Sequence, residues 1–167
     1  MGSKEGNKHA NKRVKGNSGR SLKTKTPVPG ILERNGKVYA VPVINTQAKT
    51  ILPIINSKVQ SRTTIYTDEF IVYKRLATDF NHDFIRHKAN QYVSGSVHTN
   101  SIENFWSHFS RTIFGTYHHV SPKHMARYVN ESTFRYNNRF LSEGSKFDVA
   151  LANGMNKTLN HKKLING

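Results

Sequence analysis

Residues 98 to 111 read His-Thr-Asn-Ser-Ile-Glu-Asn-Phe-Trp-Ser-His-Phe-Ser-Arg, and they carry two stripes of different chemistry at helical spacing. A polar stripe contains Asn100 and Glu103 and lies on one side of the predicted cylinder. The apolar stripe predicts a buried face and consists of Ile102, Phe105, Trp106, Phe109 and Ile113. The stretch therefore predicts an amphipathic helix that aims a carboxylate away from its buried side.

Two interpretations of Glu103 follow from these residues alone. A helical carboxylate beside a buried face can act as a catalytic acid or a metal ligand. Alternatively, Asn100 can be the N-cap with Glu103 three residues later, which is a capping-box pattern and the commoner arrangement. Trp106 belongs to the apolar stripe, so its position favours a core role over a base-stacking role.

Asp68 strengthens the catalytic interpretation of Glu103. It follows a run of β-branched and aromatic residues over positions 63 to 67, which predicts a buried strand with an acid at its C-terminal tip. Its neighbour Glu69 points in another direction along the chain, which favours a solvated or capping role. Asn35-Gly36 predicts the turn of a hairpin with arms Val28–Arg34 and Lys37–Ile44.

The remaining elements are predicted from periodicity and from helix start signals. They are a helix from near Ile51 with Pro53 in its first turn, a helix over Phe70–Phe80, a strand around Phe84, a helix that starts at Ser121-Pro122, and a short packed turn over Phe147–Leu151.

Charge and composition favour a nucleic-acid partner. The 167 residues include 26 basic and 10 acidic side chains, a formal net charge of +16, and one small domain with this imbalance usually meets a polyanion. The chain contains no Cys and has no apolar run of the roughly twenty residues that a membrane span needs. We therefore expect a cytoplasmic, nucleoid-associated protein without membrane contact. Nine histidines lack the spacing of a zinc site, which disfavours zinc.

Several short motifs occur in order across nearly the whole sequence. They are Gly6-Asn-Lys-His9, Lys25-Thr-Pro-Val28, Gly30-Ile-Leu-Glu-Arg34, Tyr66-Thr-Asp-Glu69, His98-Thr-Asn-Ser-Ile-Glu103, Phe105-Trp-Ser107, Gly115-Thr-Tyr-His118, Ser121-Pro-Lys-His124 and Arg135-Tyr-Asn-Asn-Arg139. This set resembles the catalytic domain of DDE-type insertion-sequence transposases of the ISXO-like group.

The resemblance implies an α/β fold of the ribonuclease-H-like type, a mixed sheet flanked by helices. It assigns Asp68 and Glu103 as catalytic residues that bind Mg²⁺ or Mn²⁺, with Asn100 as an auxiliary or alternative metal ligand. Carboxylate oxygens are the hard donors that these ions prefer. The implied activity is DNA cleavage followed by strand transfer, with the metal activating the attacking oxygen.

One departure from the family pattern changes this expectation. The family's first catalytic Asp lies on a strand just before the glycine-rich segment that residues 1–5 resemble, and no Asp precedes Asp68. We therefore expect a truncated copy whose sheet lacks its first strand and whose metal site lacks its first ligand, so that this chain alone is inactive. The alternative function is a catalytically silent DNA-binding module or an inhibitor of transposition.

The predicted organisation has three parts: a basic flexible arm over residues 1–26, the catalytic domain over 27–140, and a basic C-terminal tail over 141–167. The expected partners are double-stranded DNA, at the element ends and at the target, and a second copy of the chain. The candidate DNA-binding residues are Lys8, His9, His98, Arg111, His118, Lys123 and Arg135.

Overall fold

The structure, a computed structural model, describes residues 25–68, 70–84, 99–155 and 157–158. Four strands and four α-helices occur in these ranges in a mixed α/β order. The strands are β1 (Gly30–Leu32), β2 (Val38–Ala40), β3 (Thr64–Thr67) and β4 (Asn81–Phe84). The helices are α1 (Ala48–Lys58), α2 (Asn100–Thr112), α3 (Met125–Asn137) and α4 (Glu143–Gly154).

The predicted hairpin is present, with shorter strands than its sequence pattern indicates. β1 and β2 pair antiparallel, with Ile31 opposite Tyr39. Asn35 has a φ of 59°, and the Gly36 N–H donates to the Glu33 carbonyl at 2.9 Å, so the turn lies where it was predicted. Regular pairing stops early because Pro29, like the other prolines that flank the strands, has no N–H to donate.

The second sheet is a parallel pair. β3 and β4 run side by side with Thr67 opposite Phe84, and a 3₁₀ helix over Ile71–Thr78 connects them. The helix predicted over Phe70–Phe80 is therefore a 3₁₀ helix, with Leu76 and Phe80 buried as expected. A 3₁₀ helix rises about 2 Å per residue, which lets a short connection span a parallel crossover.

Two apolar cores lie on opposite sides of the hairpin. Leu32 packs against the larger core, which consists of residues from β2, α2, α3 and the segment between the two helices, including Phe105 and Val129. Ile31 packs against the smaller core, formed by α1 and the 3₁₀ helix around Ile51. Successive residues of a strand point to opposite faces, so β1 supplies one side chain to each core. The predicted apolar stripe of α2 is confirmed by this packing.

A side-chain clasp joins the end of α3 to the hairpin. The Val38 N–H donates to Asn137 Oδ1 at 2.7 Å, and Asn137 Nδ2 donates back to the Val38 carbonyl at 3.0 Å. Arg139 Nη1 donates to the Gly36 carbonyl at 3.2 Å. The Arg135–Arg139 motif therefore includes residues that hold the fold together.

Two helix predictions need correction. α1 begins at Ala48, three residues before the predicted start, because Asn45 Oδ1 accepts hydrogen bonds from the Gln47 N–H at 3.0 Å and the Thr50 hydroxyl at 2.8 Å. Pro53 consequently lies within the helix and not in its first turn.

The second correction concerns the C-terminal region. The short packed turn predicted over Phe147–Leu151 is wrong: these residues belong to the 12-residue helix α4, in which no residue is buried within the described part of the chain. The Ser142 hydroxyl caps α4 by accepting from the Ser145 N–H at 3.2 Å. None of the helices in the described ranges combines the length and apolarity that a membrane crossing requires.

Candidate active site

Asp68 lies directly after β3, at the strand tip where the sequence predicts it. Its side chain is exposed, and Oδ1 accepts a hydrogen bond from the Phe70 N–H at 3.2 Å. This local turn directs the carboxylate away from the strand axis. Glu69 lies outside the described residues, so its predicted solvated or capping role stays a prediction.

A buried hydrogen-bond relay supports the strand tip that carries Asp68. The Thr67 side chain is 9% exposed, and its hydroxyl donates to the Asp68 carbonyl at 2.8 Å. His82 Nε2, on the neighbouring strand β4, lies 2.8 Å from the same hydroxyl oxygen. A hydroxyl has one proton, so this arrangement makes His82 Nε2 the donor to Thr67. The chain from His82 through Thr67 therefore holds the peptide group of Asp68.

Burial near Asp68 shifts the pKa of two side chains, His82 and Tyr73. Burial lowers the pKa of His82, and the nearby Asp83 carboxylate opposes that shift. Burial also raises the pKa of Tyr73, and the negative charge of Asp68 adds to the effect. Sequence reasoning missed Thr67, His82 and Tyr73 as neighbours of Asp68. Their proximity depends on the register of β3 against β4, which periodicity alone does not give.

Glu103 lies in the first turn of α2 with an exposed side chain. Its Oε1 accepts a hydrogen bond from the Thr99 hydroxyl at 2.6 Å, and its N–H donates to the Thr99 carbonyl at 3.1 Å. The N-cap is Thr99 and not Asn100, so the capping box considered for Asn100 and Glu103 does not form. Asn100 is the exposed first residue of the helix. The carboxylate of Glu103 is held at the positive end of the helix dipole.

Strand β1 contacts helix α2, and the turn that follows β1 contacts β3. A side chain at Gly30 would place its Cβ 2.5 Å from the Trp106 ring, so the absence of one lets α2 pack closely on β1. Trp106 is half-buried against the larger core, as its place in the apolar stripe predicts. In the hairpin turn after β1, the Arg34 guanidinium lies 4.8 Å from the centre of the Tyr66 ring on β3. That Asp68 and Glu103 share an ion stays a prediction.

The donor chemistry of these two side chains suits a hard divalent ion. Carboxylate oxygens are preferred ligands of Mg²⁺ and Mn²⁺, which also accept water and carbonyl oxygens. No group of three or more His, Asp or Glu side chains within the described ranges is arranged to hold a metal. A metal site that used Asp68 and Glu103 would therefore need further oxygen ligands.

Of the candidate DNA-binding residues, four lie in the described ranges. Arg111 is exposed in the last turn of α2, and Lys123 is exposed just before α3. Arg135 is 72% exposed and forms an ion pair with Glu131 at 3.0 Å, which offsets part of its charge. The Tyr117 hydroxyl donates to the same Glu131 carboxylate at 2.7 Å, and this bond raises the pKa of Tyr117. Lys8, His9 and His98 lie outside the described residues.

His118 has an unusual backbone conformation. Its φ is 58° and its ψ is −47°, and the His119 N–H donates to the Tyr117 carbonyl at 2.5 Å across it. A γ-turn with positive φ is rare and strained for a residue with a side chain. The turn follows the π-helical residues Ile113–Tyr117 and leaves the imidazole exposed.

Comparison with known proteins identifies the family. Residues 2–137 match the family model described as the ISXO2-like transposase domain. The chain belongs to this family. It is 36% identical over 103 residues to an uncharacterized transposase-like protein of Haemophilus influenzae, a match that covers 61% of this chain and 82% of that protein. No solved structure matches the chain.

A second relative covers a smaller part of a longer protein. The chain is 27% identical over 114 residues to an uncharacterized protein in transposable element ISH50 of Halobacterium salinarum, a match of 66% of this chain and 38% of that protein. The ISXO2-like domain includes both candidate acids and every basic candidate from Lys8 to Arg135. Helix α4 lies beyond the matched residues.

Proposed function

We propose that this chain is the catalytic domain of a DNA transposase, which cleaves DNA and transfers the cut strand with the help of Mg²⁺. The observation that carries the proposal is the position of Asp68 directly after β3 and of Glu103 in the first turn of α2, in a member of a transposase family. Carboxylates at a strand tip and on a helix are typical of the ribonuclease-H-like fold that the sequence resembles.

The order of the elements supports that fold. A hairpin, a parallel strand pair and a helix bearing an acid occur in the order that a ribonuclease-H-like domain has them. In that fold one further strand lies between β1 and β3 and carries the first metal-binding Asp. The described strands form two separate sheets, with β1 and β3 each paired on one edge only. We propose that an acid on such a strand completes the metal site.

The proposal assigns roles to the two acids, to the residues that hold them and to nearby basic residues. Asp68 and Glu103 would hold Mg²⁺, which when bound polarises the phosphodiester and makes the attacking oxygen a stronger nucleophile. The relay from His82 through Thr67 fixes the strand tip, and the Thr99 hydroxyl orients Glu103. Arg111, with Lys123 and His118, would bind backbone phosphates and position the duplex. Positioning and electrostatics supply the catalysis, because no side chain becomes covalently linked to DNA.

The test is a nicking assay on a duplex that carries the DNA flanking the gene, with Mg²⁺ or Mn²⁺. It compares the 167-residue chain, which we expect to be inactive alone, with a version extended by about fifteen family-like residues that carry an Asp. In the extended version, Asp68→Asn and Glu103→Gln should each reduce nicking on the order of a hundred-fold or more while DNA binding persists, because neutral amides are poorer ligands for a hard ion. Asp79→Asn is the matched control, since Asp79 is also an exposed acid and lies outside the site. Nicking that persists in Asp68→Asn would exclude this acid as a ligand.

A second candidate is a DNA-binding module without catalysis. It is favoured by the high net charge and by the fact that no three-acid cluster occurs within the described ranges. Such a module would bind the same duplex with the same affinity in the presence and absence of Mg²⁺ and would leave it uncut. Binding without metal-dependent nicking, in the extended version as well as in the unmodified chain, would favour this candidate.

A further inference from the structure

Helix α4 presents its large apolar side chains to solvent. Phe147, Leu151 and Met155 follow one another at four-residue steps, so they lie along one side of the helix, and we call them the α4 apolar face. They are 67%, 58% and 65% exposed, respectively. An exposed apolar stripe of this length is unusual on a soluble monomer and marks an interaction surface.

The less exposed side of α4 carries less apolar residues. The Lys146 side chain is only 23% exposed and Val149 is half-buried, whereas the much larger Phe147 is exposed to solvent. Had α4 evolved to pack on its own domain, the lysine and the phenylalanine would be expected in exchanged positions. The exposed side of α4 is therefore the more apolar one, which suits a contact with another molecule.

The charge around the α4 apolar face argues against DNA as that molecule. Residues 143–155 contain Glu143, Lys146 and Asp148, two acids and one base, so this segment carries a net charge of −1 in a chain of +16. DNA is attracted to clusters of Lys and Arg, which the face lacks. A protein partner fits an apolar stripe flanked by acids.

The distribution of these charges fits a second copy of the same chain. Glu143 starts α4 and Lys157 follows its end, and the two residues lie equally far along the chain from Ala150. In an antiparallel pair with its two-fold axis near Ala150, Glu143 of each copy would meet Lys157 of the other. The apolar faces would cover each other, with Phe147 against Leu151 of the second copy. Two highly basic molecules also repel least where each presents a nearly neutral segment.

We propose that the chain forms a homodimer through antiparallel pairing of α4 with α4 of a second copy. The contact needs no DNA and no metal, and it lies outside the residues that match the transposase domain. Its existence is therefore independent of the proposed catalytic function.

Sedimentation velocity of the full chain without DNA, from roughly 1 to 100 μM, tests the dimer. The unmodified chain should dimerise over this range, and the double variant Phe147→Asp/Leu151→Asp should raise the dissociation constant by roughly ten-fold or more, because it buries charge in the contact. Ile71→Asp is the matched control: Ile71 is 69% exposed on the 3₁₀ helix, so its change should leave the dimer intact. A circular dichroism melt confirms that all variants fold.

Charge exchange tests the antiparallel arrangement. Glu143→Lys alone and Lys157→Glu alone should each weaken the dimer, and the double exchange should restore it. Because the chain has no Cys, a single Leu151→Cys variant should form a covalent dimer under mild oxidation, whereas Ile44→Cys, at an 87% exposed position, should not. A dimer that is indifferent to Phe147→Asp/Leu151→Asp would overturn the proposal. So would a monomer that dimerises only after residues 159–167 are removed, since the chain's own C-terminal end would then cover the face.

Discussion

The hydroxyl of Thr67 is a single group on which the candidate site depends. It is buried, it donates to the Asp68 carbonyl, and it receives the hydrogen bond of His82. Thr67→Val keeps the shape of the side chain and removes both bonds, so it should lower the free energy of unfolding by roughly 1–3 kcal/mol. Urea unfolding measures the change.

Thr64 provides the control for this prediction. It lies on the same strand and is exposed, so Thr64→Val should leave the stability unchanged or slightly raised, because valine favours strands. If Thr67→Val and Thr64→Val unfold at the same urea concentration, the relay does not hold the strand tip.

The backbone of His118, one of the proposed DNA-binding residues, is strained. A glycine adopts positive φ without a steric penalty, so His118→Gly should raise the free energy of unfolding by about 1 kcal/mol despite the greater freedom of the unfolded chain. The same substitution removes an imidazole and should weaken DNA binding. Thermal unfolding and a binding titration measure the two effects.

His119→Gly is the control, because His119 is exposed and has no positive φ. It should lower the stability slightly through the entropy of the unfolded chain. Equal losses of stability in the two glycine variants would show that the turn at His118 stores no strain.

At the scale of the elements, the clasp between α3 and the hairpin is the clearest stabilising contact. Asn137→Ala would leave the Val38 N–H and carbonyl without the amide that pairs with both, and the loss should be roughly 1–3 kcal/mol. Asn130, which is exposed on the same helix, gives the matched control in Asn130→Ala. Similar melting temperatures for the two variants would contradict the importance of the clasp.

The elements that could be predicted from the sequence are those with strong local signals. Asn35-Gly36 indicates the hairpin turn, the apolar stripe indicates α2, and Ser121-Pro122 indicates the segment that leads into α3. The α4 prediction failed because apolar residues such as Phe147 and Leu151 were interpreted as packed within the domain, whereas they are exposed. The Ser142 cap is a local signal for the start of this helix.

The candidate site shows the same difference between local and long-range signals. The positions of Asp68 and Glu103 in their elements follow from local patterns, and both are confirmed. The relay through His82 depends on strand register, and the clasp through Asn137 joins residues 99 positions apart. Long-range pairings of this kind leave no periodic trace in one sequence.

For the whole molecule, the dominant property is charge. A net charge of +16 on 167 residues predicts DNA binding mainly through phosphates, with counterion release and little dependence on base sequence. Affinity for a duplex should fall steeply, by roughly a thousand-fold or more between 50 and 200 mM salt if about six or more phosphates are contacted. A fluorescence anisotropy titration at several salt concentrations measures the slope.

Single-site variants test which lysines contribute to the salt dependence of DNA affinity. Lys123→Ala should reduce the slope of log affinity against log salt concentration by about one unit if Lys123 contacts a phosphate. Lys146→Ala is the control, because Lys146 is paired with Glu143 on α4 and should leave the slope unchanged. An affinity that is constant from low to moderate salt would exclude a phosphate-dominated interaction.

The clasp between Val38 and Asn137 also sets an order of events during synthesis. The hairpin leaves the ribosome early, but its amide partner follows 99 residues later. At about 5–20 residues per second, this is a delay of roughly 5–20 seconds. During that time the backbone of β2 has no α3 to pair with. A chaperone that binds extended apolar segments would therefore meet the nascent hairpin before α3 is available to pair with it.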